Sequence, residues 1–302
     1  MSWVVFAFSG PVLWAISVHL DKYLVERFFK ESNVAVMLLF TAFVGTLLLP
    51  FIWLYEPSVT APGVRSIALI IVSGLLYMGA MLLYLQALRT EDASVVAPYF
   101  QASPLFGFGL AYLVLGETLS ARQLAGGAMI VLGALIVSVR FKYGARLFKT
   151  RLAALMLSCG FTSALGGLIF KIYATDVEFW TTTFWMYVGE TLFGCALLAV
   201  PAYRRQLAAT LRVNTAALLS INGSNELINL GGGLGNRYAL MFAPLSLVQA
   251  IGSTTTLFVF AFGVVLSLVW PGVIREDLSS GELVRKGLAA LLVAAGVALV
   301  TR

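Results

Sequence analysis

Between Ser220 and Leu240 the chain reads SINGSNELINLGGGLGNRYAL, a polar run inside an apolar sequence. Asn222, Asn225, Asn229 and Asn236 recur with Gly232 or Gly233 between them, and Glu226 adjoins the series. Residues three or four apart share one face of a helix. The run therefore predicts a polar stripe whose amides offer both donors and acceptors. Catalytic chemistry has little to work with. The chain has a single histidine, His19, and neither an H-E-x-x-H run nor paired aspartates, so no enzyme activity is expected. Cys159 and Cys195 fall within apolar stretches and give neither a disulfide framework nor a metal-ligand spacing. Gly231, Gly232, Gly233 and Gly235 follow no strand and do not complete G-x-G-x-x-G, so they are no phosphate loop. No metal and no cofactor are expected.

The elements that must carry the stripe follow from composition. The 302 residues are 60% hydrophobic and 11% charged, against about 25% charged in a soluble domain. A helix needs about 20 mostly apolar residues to cross a bilayer. Ten such stretches are present, at about 3–26, 34–54, 66–88, 93–115, 121–140, 152–174, 180–201, 214–239, 243–269 and 284–301. The expectation is an all-α polytopic membrane protein with ten transmembrane helices, the first a retained span and not a targeting peptide. The net charge of +6 does not point to nucleic acid, because the basic residues collect in loops between stretches. The odd-numbered loops hold most of them, whereas Arg65, Arg122, Arg237 and Arg302 are assigned to even loops and the C-terminal tail. Cytoplasmic loops gather Lys and Arg, so both termini are expected outside, in a bacterial inner membrane.

In lipid, an unpartnered amide or carboxylate costs several kcal/mol. The stripe must then face water or protein. It either lines a hydrated path or hydrogen-bonds across helices, where such contacts contribute roughly 0.6–2 kcal/mol each. The neighbouring glycines serve close helix packing or local unwinding. Glu226 and Glu190 are the deepest carboxylates, and each is either a proton carrier between conformations or a hydrogen-bonded structural acid.

The two halves of the chain echo one another. ALRTEDASVVAP (87–98) aligns on ALMFAPLSLVQA (239–250), WAISVHLDK (14–22) on SALGGLIFK (163–171), and LGALIV (132–137) on AGVALV (295–300). Two units, 1–140 and 152–302, joined by a basic linker at 141–151, would each hold five spans and insert with opposite orientation. Such inverted repeats recur in secondary transporters, with the substrate near the midplane. Carrying the offset back from the stripe marks Ser73, Tyr77, Met81 and Tyr84 on the third stretch. In the fourth, Tyr99 and Gln101 lie between Pro98 and Pro104, prolines that can kink a helix. The ninth offers Gln249 and the run Ser253-Thr254-Thr255-Thr256. Trp14 sits deep in the first stretch, as either a cavity wall or packing, with His19 and Lys22 nearer its end. The fifth and tenth stretches, with Gly126, Gly133 and Gly296, read as scaffold where the halves meet or where two protomers pair.

The segment LVLGETLSARQLAGGAMIVLGALIV (113–137) resembles the end-of-repeat signature of the EamA branch of the drug/metabolite transporter superfamily, through Gly116-Glu117, Leu119-Ser120, Gln123-Leu124 and Gly133. Trp14 and Lys22 in the first stretch fit the same resemblance. The second half departs from it, with SLVWPGVIREDLSSGELV (267–284) in place of the Gly-Glu turn. That departure turns Glu117 toward a loop or helix-end role. The resemblance implies a ten-helix carrier of small metabolites working by alternating access, commonly outward, with a central cavity between the first, third, fourth, sixth, eighth and ninth helices. The contact candidates are Trp14, Tyr77, Tyr84, Tyr99, Gln101, Asn222, Asn225, Asn229 and Gln249, with Glu226 and Glu190 for proton coupling. One wall aromatic and one rich in amides suits an amphipathic amino-acid-like or amine cargo. A lipid-carrier flippase of the same fold is the alternative, with an intramembrane enzyme far behind.

Overall fold

The computed structural model describes residues 3–29, 33–90, 99, 102–138, 150–213, 215–269 and 279–301. Among these residues all regular structure is helical: α1 Trp3–Arg27, α2 Val34–Val44, α3 Leu49–Tyr55, α4 Val64–Thr90, α5 Ala102–Leu115, α6 Ala121–Ser138, α7 Thr150–Asp176, α8 Phe179–Ala199, α9 Pro201–Val213, α10 Thr215–Ala239, α11 Leu245–Gly252, α12 Thr255–Val269 and α13 Ser280–Thr301. Two 3₁₀ turns, Gly45–Leu48 and Pro57–Thr60, flank α3. Almost all of the expected linker lies outside the described residues.

Among the described residues, six segments are long and apolar enough to cross a membrane: Trp3–Asp21, Val34–Tyr55, Val64–Arg89, Thr150–Asp176, Leu245–Ser267 and Ser280–Val300. The α8–α9 pair passes only as a unit and is bent by 96° at its break. Two further apolar helices, Ser103–Leu115 and Ala121–Ile136, are shorter. α10 is long but carries the polar run, which lowers its hydropathy. The fold is thus an all-helical membrane architecture in which the polar elements are enclosed by apolar ones.

Packing partners are specific. α1 lies along α10, α4 along α7 and α8, α5 along α7, α1 along α12, α2 along α8 and α10, and α6 along α13. Small residues set the closest of these approaches, as expected where helix association depends on van der Waals contact. A Cβ on Gly74 of α4 would overlap the Met186 carbonyl of α8, and one on Gly189 of α8 would overlap the Ile71 carbonyl of α4. Gly126 and Gly296 are reciprocal: a Cβ on either would lie 2.7 or 2.6 Å from the other's carbonyl oxygen. The fifth and tenth stretches, α6 and α13, therefore meet each other within one chain.

Local chemistry explains the ends. Gly116 terminates α5 with φ 63°, a left-handed conformation that glycine adopts without strain. Ser120 and Gln123 then start α6 as a capping box: the Ser120 N–H donates to Gln123 Oε1 at 3.0 Å, and the Gln123 N–H donates to Ser120 Oγ at 3.2 Å. The signature residues of that segment are a helix stop followed by a helix start. Between α11 and α12 the break falls in the Ser-Thr run. The hydroxyls of Ser253, Thr254 and Thr255 donate to the carbonyls of Ala250, Ile251 and Gly252 at 2.6–2.7 Å. Side chains thus satisfy the backbone groups that a broken membrane helix leaves open.

Gly74→Ala should lower stability by about 1–3 kcal/mol through overpacking of α4 against α8. Gly79→Ala, on the same helix with open space beside it, should be neutral or stabilising. Thermal unfolding in detergent, read by loss of helical circular dichroism, separates the two.

Candidate functional site

α10 carries two polar faces, where one stripe was expected. Asn225 turns toward α1. It accepts a hydrogen bond from Ser17 Oγ at 2.7 Å and donates through Nδ2 to Asp21 Oδ1 at 2.7 Å. Further along the same side, the indole of Trp14 fits against Gly232, whose Cβ would lie 3.0 Å from Trp14 Nε1, and against Gly10 of its own helix. Asn236 also packs near Gly10, and Ser9 fills the space beside Gly235. This side is interhelical glue, and α10 remains continuous through all four glycines. Of the two roles open to the glycines, close packing is the one present here.

The second face, about one residue or 100° further round the helix, contains Glu226, Leu230, Gly233 and Arg237, with Asn229 at its edge. It lines a crevice completed by Thr41 and Val44 of α2, Tyr77 of α4, and Tyr187 and Glu190 of α8. The crevice is narrow in this conformation, with a cavity volume of about 20 Å³, room for about one water. Glu226 is 2% exposed; its Oε1 accepts from Thr41 Oγ1 at 2.8 Å, while its Oε2 is buried without a hydrogen-bond partner.

The expectation for Arg237 is corrected outright. Assigned to a loop, it lies in the last turn of α10 and is only 8% exposed. Its Nη2 donates to Glu190 Oε1 at 3.1 Å. Its guanidinium carbon stands 5.1 Å from the centroid of the Tyr187 ring, 5.4 Å from that of Tyr77 and 5.9 Å from that of Phe170. A charge this deep is tolerated because a counter-ion and three π-faces surround it. Its Nη1 is buried without a hydrogen-bond partner. Tyr187 is held in place by the notch at Gly45, where a Cβ would sit 2.5 Å from its ring. Arg237 and Thr41 were missed in the sequence, whereas Tyr187 is legible there on the helix face of Glu190, three residues before it, though not as a contact. Extending the helical face beyond Gly233 by four residues would have reached Arg237; nothing in the local pattern marks Thr41.

Of the expected contacts, Tyr77, Asn229, Glu226 and Glu190 come together in this crevice. The others are spread more widely. Asn222 is fully buried, and neither amide atom is hydrogen-bonded. Tyr84 packs in a separate apolar cluster, with Tyr99 at its margin. Gln249 of α11 lies against Gly107 of α5, its Oε1 buried and unpartnered. Ser73 is turned onto its own helix, donating to the Ile70 carbonyl at 2.7 Å. Gln101, Pro98 and the side chain of Lys22 lie outside the described residues. His19 meets the Val259 carbonyl through Nε2 at 3.1 Å, as a satisfied polar group.

A second polar junction ties the two halves together away from the crevice. Lys171 of α7 is ion-paired with Glu117 and donates to the Ala243 carbonyl at 2.8 Å. The Glu117 carboxylate also accepts the Leu245 N–H, at 3.1 Å for its nearer oxygen, and so caps the start of α11. Glu117 has the helix-end role that the altered second half suggested.

Apolar helices of membrane length, enclosing a crevice with a buried ion pair, make this chain an integral membrane protein. Residues 1–139 match the EamA-like transporter family, a match that suggests a membrane transporter of small solutes. No curated protein matches the chain in sequence. A solved protein crystal structure shares its fold, with a TM-score of 0.67 at 13% identity, covering 99% of this chain and 96% of the other.

Glu190→Gln should destabilise the protein by about 3–5 kcal/mol, because it leaves the Arg237 guanidinium buried without its counter-ion. Glu190→Gln combined with Arg237→Met should cost less than the sum of the two single changes. A double-mutant cycle on thermal or denaturant unfolding measures that coupling.

Proposed function

We propose that the chain is a secondary carrier that moves small amphipathic metabolites by alternating access, with the α10 crevice as its substrate site. One observation carries this reading. Polar and aromatic side chains from α2, α4, α8 and α10 converge on one narrow crevice that holds a buried ion pair and a second buried carboxylate. α2 and α4 belong to the first half of the chain, α8 and α10 to the second. A crevice shared between halves is where a rocking carrier would hold its cargo.

The packing partners support the two-repeat reading. Counting α2–α3 and α11–α12 as single broken spans, and α5 as the fourth, gives ten membrane segments in two sets of five. Shifting the most extensive contacts by five segments exchanges α1–α10 with α4–α7, α5–α7 with α1–α12, and α4–α8 with α2–α10, and it returns α6–α13 to itself. The units are then 1–140 and 152–302, with opposite orientations. Both termini lie outside a bacterial inner membrane, with the basic odd-numbered loops in the cytoplasm and transport directed outward. The unanswered amide of Asn222 is consistent with a second state in which water or cargo meets it.

Coupling to a proton belongs on Glu226 before Glu190, because Glu190 is already held by Arg237. The groups facing Glu226 are Thr41 of α2, Tyr77 of α4, Tyr187 and Glu190 of α8, and Asn229 and Arg237 of its own helix. Asp21 of α1 lies beyond Asn225.

Reconstituted protein should move one or more solutes from a panel of amino acids, amines and nucleosides. Asn229→Ala should reduce that flux about tenfold while leaving unfolding temperature unchanged. Glu226→Gln should make the remaining flux insensitive to an imposed pH gradient. No flux of any solute would end the carrier reading, and a fully retained pH response would end the role given to Glu226.

A further inference from the structure

α9 joins α8 to α10 and is built differently from both. Its sequence, PAYRRQLAATLRV, has three arginines and no acidic residue. Tyr203, Leu207 and Leu211 are partly buried, whereas Arg204, Arg205, Ala208 and Arg212 are exposed. These are the two faces of one amphipathic helix. Leu207 and Leu211 pack into the apolar cluster that also contains Val34 of α2 and Leu218 of α10. Gln206 Oε1 accepts the Asn33 N–H at 2.9 Å, at the start of α2. Among the described residues no ion pair engages Arg204, Arg205 or Arg212.

The depth of α9 follows from α8. The 21 residues of α8 extend about 31 Å, the thickness of the hydrocarbon layer. α8 lies along α2 and α4, which belong to segments of membrane length. Only Val200 separates α8 from α9, and the axis turns there by 96°. α9 therefore runs across the bilayer normal, and its width of about 10 Å falls in the headgroup layer. We propose that the arginines of α9 bind anionic phospholipids through the phosphodiester headgroups of the adjoining leaflet, holding α9 as an interfacial helix. The proposal does not depend on the carrier reading.

Charge distribution points to the same partner. The cluster under α9 also contains Phe28, Leu88 and Leu152, next to the exposed Arg27, Arg89 and Arg151 at the ends of α1, α4 and α7. At the opposite end of the bundle, Arg65 and Arg122 are interspersed with Glu56, Asp176 and Glu178. A leaflet containing anionic lipid has a negative surface potential. A rim of one sign complements it, and a mixed rim does not. An acidic soluble protein would match the charge but not the depth. The contact also bears on the crevice, because α9 is joined to α8 and α10 and hydrogen-bonded to the start of α2. Headgroups that hold α9 thereby keep the ends of three crevice-lining helices in register.

The test is equilibrium binding of fluorescent phosphatidylglycerol and phosphatidylcholine, with identical acyl chains, to the full chain in detergent. Phosphatidylglycerol should bind at least about fivefold more tightly, the difference one arginine makes near an anionic headgroup. Arg204→Gln, Arg205→Gln and Arg212→Gln together should abolish that preference and leave phosphatidylcholine binding unchanged. Arg204→Gln with Arg205→Gln alone should weaken it part-way. Arg65→Gln with Arg122→Gln, at the opposite end, should leave it intact. Unfolding temperature confirms that each variant is folded. The proposal is overturned if the unaltered chain does not prefer phosphatidylglycerol, if neither α9 variant weakens the preference, or if the Arg65 and Arg122 changes weaken it as much. It is also overturned if soluble polyglutamate displaces the labelled lipid as well as unlabelled phosphatidylglycerol does, which would assign this face to an acidic protein.

Discussion

A charge inside a membrane must be answered locally, and this requirement organises the molecule around Arg237. Three rings and one carboxylate converge on its guanidinium from α4, α7 and α8. The glycine contacts between α4 and α8 follow from that convergence. Tyr77 and Glu190 can share one cation only if their helices run almost in backbone contact, and Gly74 with Gly189 permits this. Gly233 on α10 differs from these two, since a Cβ there would stand 4.0 Å from the guanidinium carbon, an ordinary contact.

Meeting the requirement incompletely is as informative as meeting it. Ser17, Asn225 and Asp21 form a closed chain of hydrogen bonds between α1 and α10, and nothing in it is left over. On the other face, Glu226 and Arg237 each keep one atom unanswered. The same helix thus has one side whose hydrogen bonds tie it to α1 and another whose buried polar atoms are only partly paired. Burial and residue type are alike on the two sides; the distinction lies in hydrogen-bond accounting.

Much of the architecture was legible from residue order. Hydropathy marked an all-helical membrane chain, although of the ten stretches expected only six are long and apolar enough among the described residues, and the Gly116-Glu117 signature marked a helix stop and start. The polar stripe was legible as a helix feature, but its division into two faces was not. Asn225 and Glu226 are neighbours in sequence and differ by about 100° in direction, and only the position of α1 decides which of them meets a partner. Arg237 was misread because a basic residue near the end of an apolar run usually lies in a loop. Its aromatic surroundings come from Tyr77, Phe170 and Tyr187, far apart in the chain, so no local pattern reveals them. The wide dispersal of Tyr84, Tyr99, Gln249 and Trp14 has the same origin. Repeat arithmetic assigns a residue to a helix but does not fix what its neighbours are.

The Glu117 carboxylate engages Lys171 and the first turn of α11 together, although it is itself supplied by the first half of the chain. Three segments consequently share one pivot. If the halves tilt against each other, displacement is smallest at this knot and grows with distance from it, as at the hub of a lever. Phe170, which stacks on Arg237, immediately precedes Lys171, so the knot and the Arg237 crevice share α7, and any tilt of that helix would be felt at both.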